Sequence, residues 1–457
     1  MIVSIGLQLG VYLVAGTVLA ALVAANYGIY LAGRIYPALI IVTVFVVLGV
    51  LRALWSMRVP FVEPFGLEVT ATEPELIRVI HEVASAVGSD PPDAVYLVPD
   101  VNAFVTEDAR FGGLVSRRRV LGIGVPLIHS LNIGELRAIL GHEFGHFAGG
   151  DTKLGSVVYR GQRSATVLAQ SAGGGLIADI FVWYANFVVR TSSAVSRRQE
   201  VAADLFAVNA FGSAPMRSAL GKIDDAAVAF DQFASGYLTP LFQQRCRPIN
   251  LFTGYEAVYR DPTRQAQRED ETARRRRRAP NPYDTHPTAS TRLETIEHWP
   301  AVIGTVASDD RPANELLSPQ AASADRLSEL IASRIDPRLT PIEWTASAEV
   351  LGRTNDWLVD LGFAGPLGWA EQRALLDEWA TKRYWDIPRR RVLDRAPQNY
   401  FPNRMEAIDH WLRATFERQL AQLPGNRWTL RWDGPALLSS ETGETLDCAR
   451  RRRVSIR

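Results

Sequence analysis

Among the seven histidines of this 457-residue chain, His142 and His146 stand four apart, with Glu143 directly after the first, spelling H-E-x-x-H. Residues four apart share one face of a helix, so both imidazoles can grip a single divalent ion. Glu143 can then take a proton from water that such an ion acidifies. The chemistry this pattern supports is metal-assisted hydrolysis of an amide, and the motif needs both a helix to carry it and a third ligand.

The helix is predicted just upstream. Asn132 and Glu135 have the spacing of a capping box, Leu136, Ile139 and Leu140 follow at helical intervals, and Gly149-Gly150 stops the run. A metzincin would place a third His at the position of Thr152, so that class is excluded. A second helix is expected from Ser196 through Leu205 and Val208 to a cap near Gly212, and it puts Glu200 and Asp204 on one face. In the economical assignment Glu200 is the third ligand and Asp204 accepts the remaining N–H of a ligating His. The competing assignment leaves both carboxylates paired with Arg197 and Arg198 on a solvated face.

His142 to Asp151 (HEFGHFAGGD) followed by Ser196 to Asp204 (SRRQEVAAD) resembles the membrane-bound gluzincins of the HtpX and type I CAAX prenyl protease family. Asn102-Ala103-Phe104 resembles that family's N-A-F strand, and His286-Pro287 with Arg292 resembles its H-P-x-x-x-x-R element. The likeness extends over roughly residues 1 to 300. It implies one Zn²⁺ per chain, a zinc metalloendopeptidase activity, and an oxyanion held by His286 and Arg292. It also implies a fold: a mainly α, α+β zincin-like metallopeptidase domain with a small sheet. Asn102, Ala103 and Phe104 fall in Val95 to Thr106, whose β-branched and apolar residues read as one strand. Substrate is expected to pair with that strand's backbone, and the alternative is an ordinary sheet strand with Phe104 in the core.

Ile2 to Ala25 is almost uninterrupted apolar sequence, and Ile35 to Trp55 is a second such stretch. A cleaved signal peptide is disfavoured, because no basic leader precedes the first stretch and the second follows at once. The reading is an N-terminal transmembrane helical hairpin in an inner or plasma membrane. Arg34 alone marks the connecting loop, whereas Arg52 and Arg58 follow the second stretch, which favours a cytoplasmic catalytic domain. Leu176 to Val189, apolar but bearing Asp179, reads as an in-plane or lid helix, the alternative being a membrane span extended back to Ser164 through Gly173-Gly174-Gly175.

The domains expected are 1–58, the hairpin; 59–305, the zinc peptidase; and 306–457, a C-terminal α+β accessory domain. In the last, helical patterns cover Ala321–Ser333, Ala370–Tyr384 and Met405–Leu423, with strands at Trp428–Trp432 and around Ser440–Glu444. Net charge is +1, no P-loop spacing occurs, and neither nucleic acid nor nucleotide is expected as a partner. The run Arg274 to Arg278 follows acidic residues at helical spacing and reads first as a solvated helix end, second as a contact to anionic lipid. Cys246 and Cys448 make no disulfide framework. The resemblance implies peptide or protein substrates and the bilayer as partners, with protein quality control as the work. CAAX-type processing and a membrane-tethered scaffold with a structural zinc are the alternatives. The oligomeric state is not legible.

Overall fold

The computed structural model describes residues 2–56, 63–110, 115–148, 175–277, 289–353 and 404–446. The chain forms two compact units, one of residues 1–227 and 269–323, the other of 228–268 and 324–457. They are interleaved in sequence rather than separated at one boundary.

The first unit opens with two apolar helices, α1 (Ile2–Leu31) and α2 (Pro37–Ser56). They pack on each other, and Asn26 Nδ2 donates to Thr43 Oγ1 across the pair at 2.9 Å. Within α1, Leu13–Leu31 is long and apolar enough to cross a membrane, and Pro37–Leu48 of α2 is apolar but shorter.

A four-stranded sheet follows, ordered β1-β2-β4-β3, from β1 (Leu67–Glu68), β2 (Ala94–Val98), β3 (Ala103–Arg110) and β4 (Val115–Gly124). β2 runs parallel to β4, and β3 runs antiparallel to it from the outer edge. The strand expected over Val95–Thr106 is therefore two strands. Pro99 cannot donate to a ladder, Asp100 accepts the Val101 N–H at 2.8 Å, and the chain reverses there. Side chains of β2 are buried on both faces, as expected of a strand covered on two sides.

Helix α3 (Pro74–Ala86) buries Leu76, Val79, Ile80 and Val83, and a short α4 (Val125–Ser130) leads into α5 (Ile133–Ala148). The capping box closes as the spacing predicts: Asn132 N–H donates to Glu135 Oε2 at 2.8 Å and Glu135 N–H to Asn132 Oδ1 at 2.7 Å. Glu135 is also held by Lys222 Nζ at 2.7 Å and by the Ser218 hydroxyl. Both donors lie on α7 (Ser213–Phe233), so this helix start is anchored to another helix.

α6 (Gly175–Phe211) is one unbroken helix of 37 residues, where the sequence suggests a lid helix over Leu176–Val189 and a separate helix from Ser196. Nothing between Val189 and Ser196 is Gly or Pro, so nothing there ends a helix. It stops at Gly212, whose φ of +97° suits glycine. α10 (Pro262–Arg276), which crosses the unit division, carries the arginine run, and Arg274 pairs with Asp270 at 2.6 Å and Arg275 with Glu271 at 3.3 Å. α11 (Ala289–Glu297) completes the parts that surround the site.

The second unit holds α8 (Thr239–Gln243), β5 (Cys246–Pro248), α9 (Leu251–Arg260), α12 (Ser323–Ile335), β6 (Thr340–Ile342), α13 (Trp344–Gly352) and α14 (Arg404–Ala421), with the hairpin β7 (Arg427–Thr429) and β8 (Leu437–Ser439). Its core is aromatic. Phe233 stacks on Tyr237 at 6.0 Å and meets Tyr255 and Trp344, while Trp432 contacts Tyr237 and Trp344. The helix expected over Ala370–Tyr384 lies outside the described residues.

Candidate metal centre

The site is built by α5 and α6, and the distance between them is set by small residues. A Cβ placed on Gly141 would stand 2.5 Å from the Phe211 ring, and one on Gly145 would stand 3.1 Å from Ala203 Cα. Two glycines four apart on α5 thus face Ala203 and Phe211 of α6, and the backbones approach more closely than larger side chains would permit. Glu200 and Asp204, one turn apart, come with that face of α6 onto the histidine pair.

His142 Nε2 and His146 Nε2 are 3.2 Å apart, Glu200 Oε1 is 3.3 Å from His146 Nε2, and Glu200 Oε2 is 3.5 Å from His142 Nε2. One donor atom from each residue lies within 4.8 Å of the others. A tetrahedral zinc ion with bonds of roughly 2.0–2.1 Å would hold its ligand atoms about 3.3 Å apart. The imidazole nitrogens stand at about that edge length and a Glu200 oxygen lies near each, Oε1 by His146 and Oε2 by His142, so the donor set fits zinc in number and type and gathers within reach of one ion. Among the described residues, no other group of His, Cys, Asp and Glu gathers in this way.

Around the donors lies a second ring of contacts. Asp204 Oδ1 is 2.8 Å from His142 Nδ1, so Nδ1–H donates to the carboxylate and Nε2 keeps its lone pair for a metal. Arg292, on α11, forks onto the same carboxylate: Nε donates to Oδ2 at 3.1 Å and Nη2 to Oδ1, while Nη1 stands 4.0 Å from Glu200 Oε2. Arg292 Nη2 also lies 3.0 Å from His142 Nδ1.

Burial pushes the Asp204 carboxyl up, but hydrogen bonds from His142 and Arg292 and their charges outweigh it and hold Asp204 below the usual carboxylate range. Burial and the Arg292 charge push the His142 imidazole down. Its hydrogen bonds to Asp204 and Glu200 and the charge of Glu143 outweigh them, so its affinity for a proton is raised. Burial likewise works against the Arg292 charge, and Asp204 restores it. Around the histidine pair three acidic side chains, Glu143, Glu200 and Asp204, stand against one guanidinium, an excess of acidic groups that suits a divalent cation.

Of the other residues singled out in sequence, His286 lies outside the described residues. Asn102 precedes the edge strand β3, and its carbonyl accepts the Gly124 N–H at 2.7 Å. Ala103 is buried and pairs with Ile123. Phe104 lies across Gly122, whose added Cβ would stand 2.4 Å from the ring, and packs on the cluster of Ala94, Tyr96, Val98 and Val120. The Phe104 side chain is thus a sheet contact, and the edge offers main chain. Sequence reading overlooked the Gly141/Gly145 pair, although its four-residue spacing inside a helix is visible.

A helix-borne H-E-x-x-H pair completed by a glutamate from a second helix defines the class of single-metal gluzincin centres. The chain belongs to Peptidase family M48, which it matches over residues 70–300. It is 31% identical over 107 residues to Protease HtpX of Stenotrophomonas maltophilia (strain K279a), covering 23% of this chain and 35% of that protein. It is 26% identical over 175 residues to Protease HtpX of Xanthomonas oryzae pv. oryzae (strain PXO99A), covering 34% of this chain and 58% of that one. A third relative, Protease HtpX of Idiomarina loihiensis, is 31% identical over 109 residues, covering 22% and 36%. The match thus spans about a third to somewhat over half of the length of these curated relatives. No solved structure matches the chain.

Proposed function

We propose that this chain is a membrane-anchored zinc endopeptidase that cuts unfolded membrane or cytoplasmic proteins in quality control. The observation that carries the reading is the meeting of two imidazole nitrogens 3.2 Å apart with the Glu200 carboxylate, one donor atom from each residue lying within 4.8 Å of the others. His142, His146 and Glu200 hold one Zn²⁺, which when bound acidifies water and polarises a carbonyl. Glu143 takes the proton of the attacking water and passes it to the leaving amine. Asp204 orients His142 through Nδ1, and Arg292 holds Asp204 in place. In this reading Arg292 Nη1, the part of the fork not turned to Asp204, acts with His286 on the oxyanion of the tetrahedral intermediate. Around Asn102, Ala103 and Phe104 the outer edge of β3 offers the main-chain groups not already bonded to β4, as the Asn102 carbonyl is, and an extended peptide can add there as a further strand, largely indifferent to its sequence. That indifference suits unfolded substrates better than a single processing motif.

The anchor in this reading is the α1–α2 pair. It is supported by the length of Leu13–Leu31 and by the exposure of Leu13, Val23, Ile41, Phe45 and Leu48, which leaves apolar surface for lipid. The catalytic domain then faces the cytoplasm, on the charge bias of Arg52 and Arg58 over Arg34.

The test uses the full chain purified in detergent. It should degrade an unfolded substrate, lose that activity to a chelator and regain it with zinc. Glu143→Gln should abolish cleavage while leaving one zinc per chain, and Glu200→Ala should lose the zinc. Cleavage by Glu143→Gln at the wild-type rate would remove Glu143 from the mechanism, and full zinc content in Glu200→Ala would dismantle the site.

A further inference from the structure

The tip of the α1–α2 pair contains a cleft that plays no part in hydrolysis. α1 ends in a Schellman motif. Gly33, at φ +71°, donates its N–H to Tyr30 O at 2.9 Å, and Arg34 N–H reaches back to Ile29 O at 3.1 Å. In that motif the residue after the left-handed glycine folds its side chain back over the helix end, and the position usually carries an apolar residue. Here it carries Arg34.

The cleft has a volume of about 330 Å³ and is lined by Tyr27, Tyr30, Arg34, Tyr36 and the apolar Ile35 and Ile40. That is the lower end of the range for small-molecule sites. Arg34 is the only charged residue in its wall, and its side chain makes no ion pair among the described residues. The carbonyls of Gly28, Ile29 and Tyr30 at the end of α1 accept from Ala32, Arg34 and Gly33 in that order, and α2 begins at Pro37, between the wall residues Tyr36 and Ile40. Tyr27, Tyr30 and Tyr36 are all more than half exposed, with rings suited to the acyl boundary and hydroxyls suited to the headgroup level. The charge in this cleft thus calls for an anion, while its walls call for an amphipathic neighbour.

We propose that this cleft binds the headgroup of an anionic phospholipid, with its phosphate on Arg34 and the tyrosine hydroxyls and its acyl chains running down the apolar faces of α1 and α2. The assignment rests on the membrane-anchor reading. It adds to that reading a specific lipid site at the end of the hairpin.

Full-length protein in detergent is titrated with phosphatidylglycerol, phosphatidylcholine and inorganic phosphate, and one-to-one adducts are counted by native mass spectrometry. The expected result is phosphatidylglycerol binding that weakens about tenfold or more in Arg34→Gln, as loss of a charge-assisted contact implies, with phosphatidylcholine unchanged. Tyr30→Phe, which keeps the ring, should weaken phosphatidylglycerol binding less. Equal affinity for the two lipids, or no change in Arg34→Gln, overturns the proposal. Inorganic phosphate that competes fully would make the ligand a free anion and overturn the lipid assignment. Flotation with pure phosphatidylcholine vesicles separates the two readings. If neither wild type nor Arg34→Gln floats, the anchor itself fails and this inference with it. If both float without preference for anionic lipid, only the headgroup site fails.

Discussion

Gly145→Ala tests whether the metal centre depends on how closely two helices approach. Taken alone, the change favours a helix by about 1 kcal/mol. Against it, the new methyl would sit 3.1 Å from Ala203 Cα, 3.2 Å from Phe206 Cβ and 3.3 Å from Ala203 O. Two of these three atoms are backbone or Cα, so relief requires α6 to move away by roughly 0.3 Å, at an overpacking cost of about 1–3 kcal/mol. Net destabilisation is therefore expected to be small, about 0–2 kcal/mol. The effect on metal is larger. Glu200 is three residues from Ala203 on the same helix, so a shift at Ala203 carries the carboxylate with it, and ligand distances tolerate only about 0.2 Å. Zinc affinity, read by chelator competition on purified protein, should fall about tenfold or more while the denaturation midpoint moves little. Gly221→Ala is the matched control. It lies inside α7, nothing stands within 4 Å of its added Cβ, and it should stabilise by roughly 0.5–1 kcal/mol and leave zinc binding alone. Wild-type zinc affinity in Gly145→Ala would refute the idea that this contact sets the ligand geometry.

Asp204→Asn keeps the shape but removes the charge that orients His142 and neutralises Arg292, and zinc affinity should fall about 10–100-fold. Unchanged affinity would remove Asp204 from the site. Arg292→Lys cannot reproduce the two-pronged grip on Asp204, and kcat is expected to fall with zinc content unchanged; a loss of zinc equal to that of Glu200→Ala would instead make Arg292 part of the scaffold for the ligands. Asn132→Ala removes the cap on α5 and should cost about 1 kcal/mol, seen as a lower denaturation midpoint in the metal-free protein. Stripping zinc from the wild type should also lower the midpoint, and returning free zinc at a thousand times Kd should restore about 4 kcal/mol. A midpoint indifferent to zinc would mean that the folded and unfolded chains bind it equally.

How much of this site could be read from the chain depends on whether each feature is local. The capping box of Asn132 and Glu135 was legible because both partners lie within one turn. The histidine pair was legible because four residues complete a helical turn. Glu200 was ambiguous in sequence, since a carboxylate beside Arg197 and Arg198 reads equally as a surface pair, and only the approach of α6 to α5 turns it toward the imidazoles. Its neighbour Asp204 gains a partner, Arg292, that is 88 residues away and that no spacing rule connects to it. The split of Val95–Thr106 into two strands and the fusion of two expected helices into α6 are errors of boundary. Apolar content marks where chain is buried, while the strand partners in β4 and the absence of any breaker decide where each element starts and stops. Gly141 and Gly145 carry no chemistry and so drew no attention, yet they set the separation on which the ligand distances depend. A motif of this kind therefore specifies which atoms are available to a metal. The packing of small residues against small residues specifies whether those atoms meet.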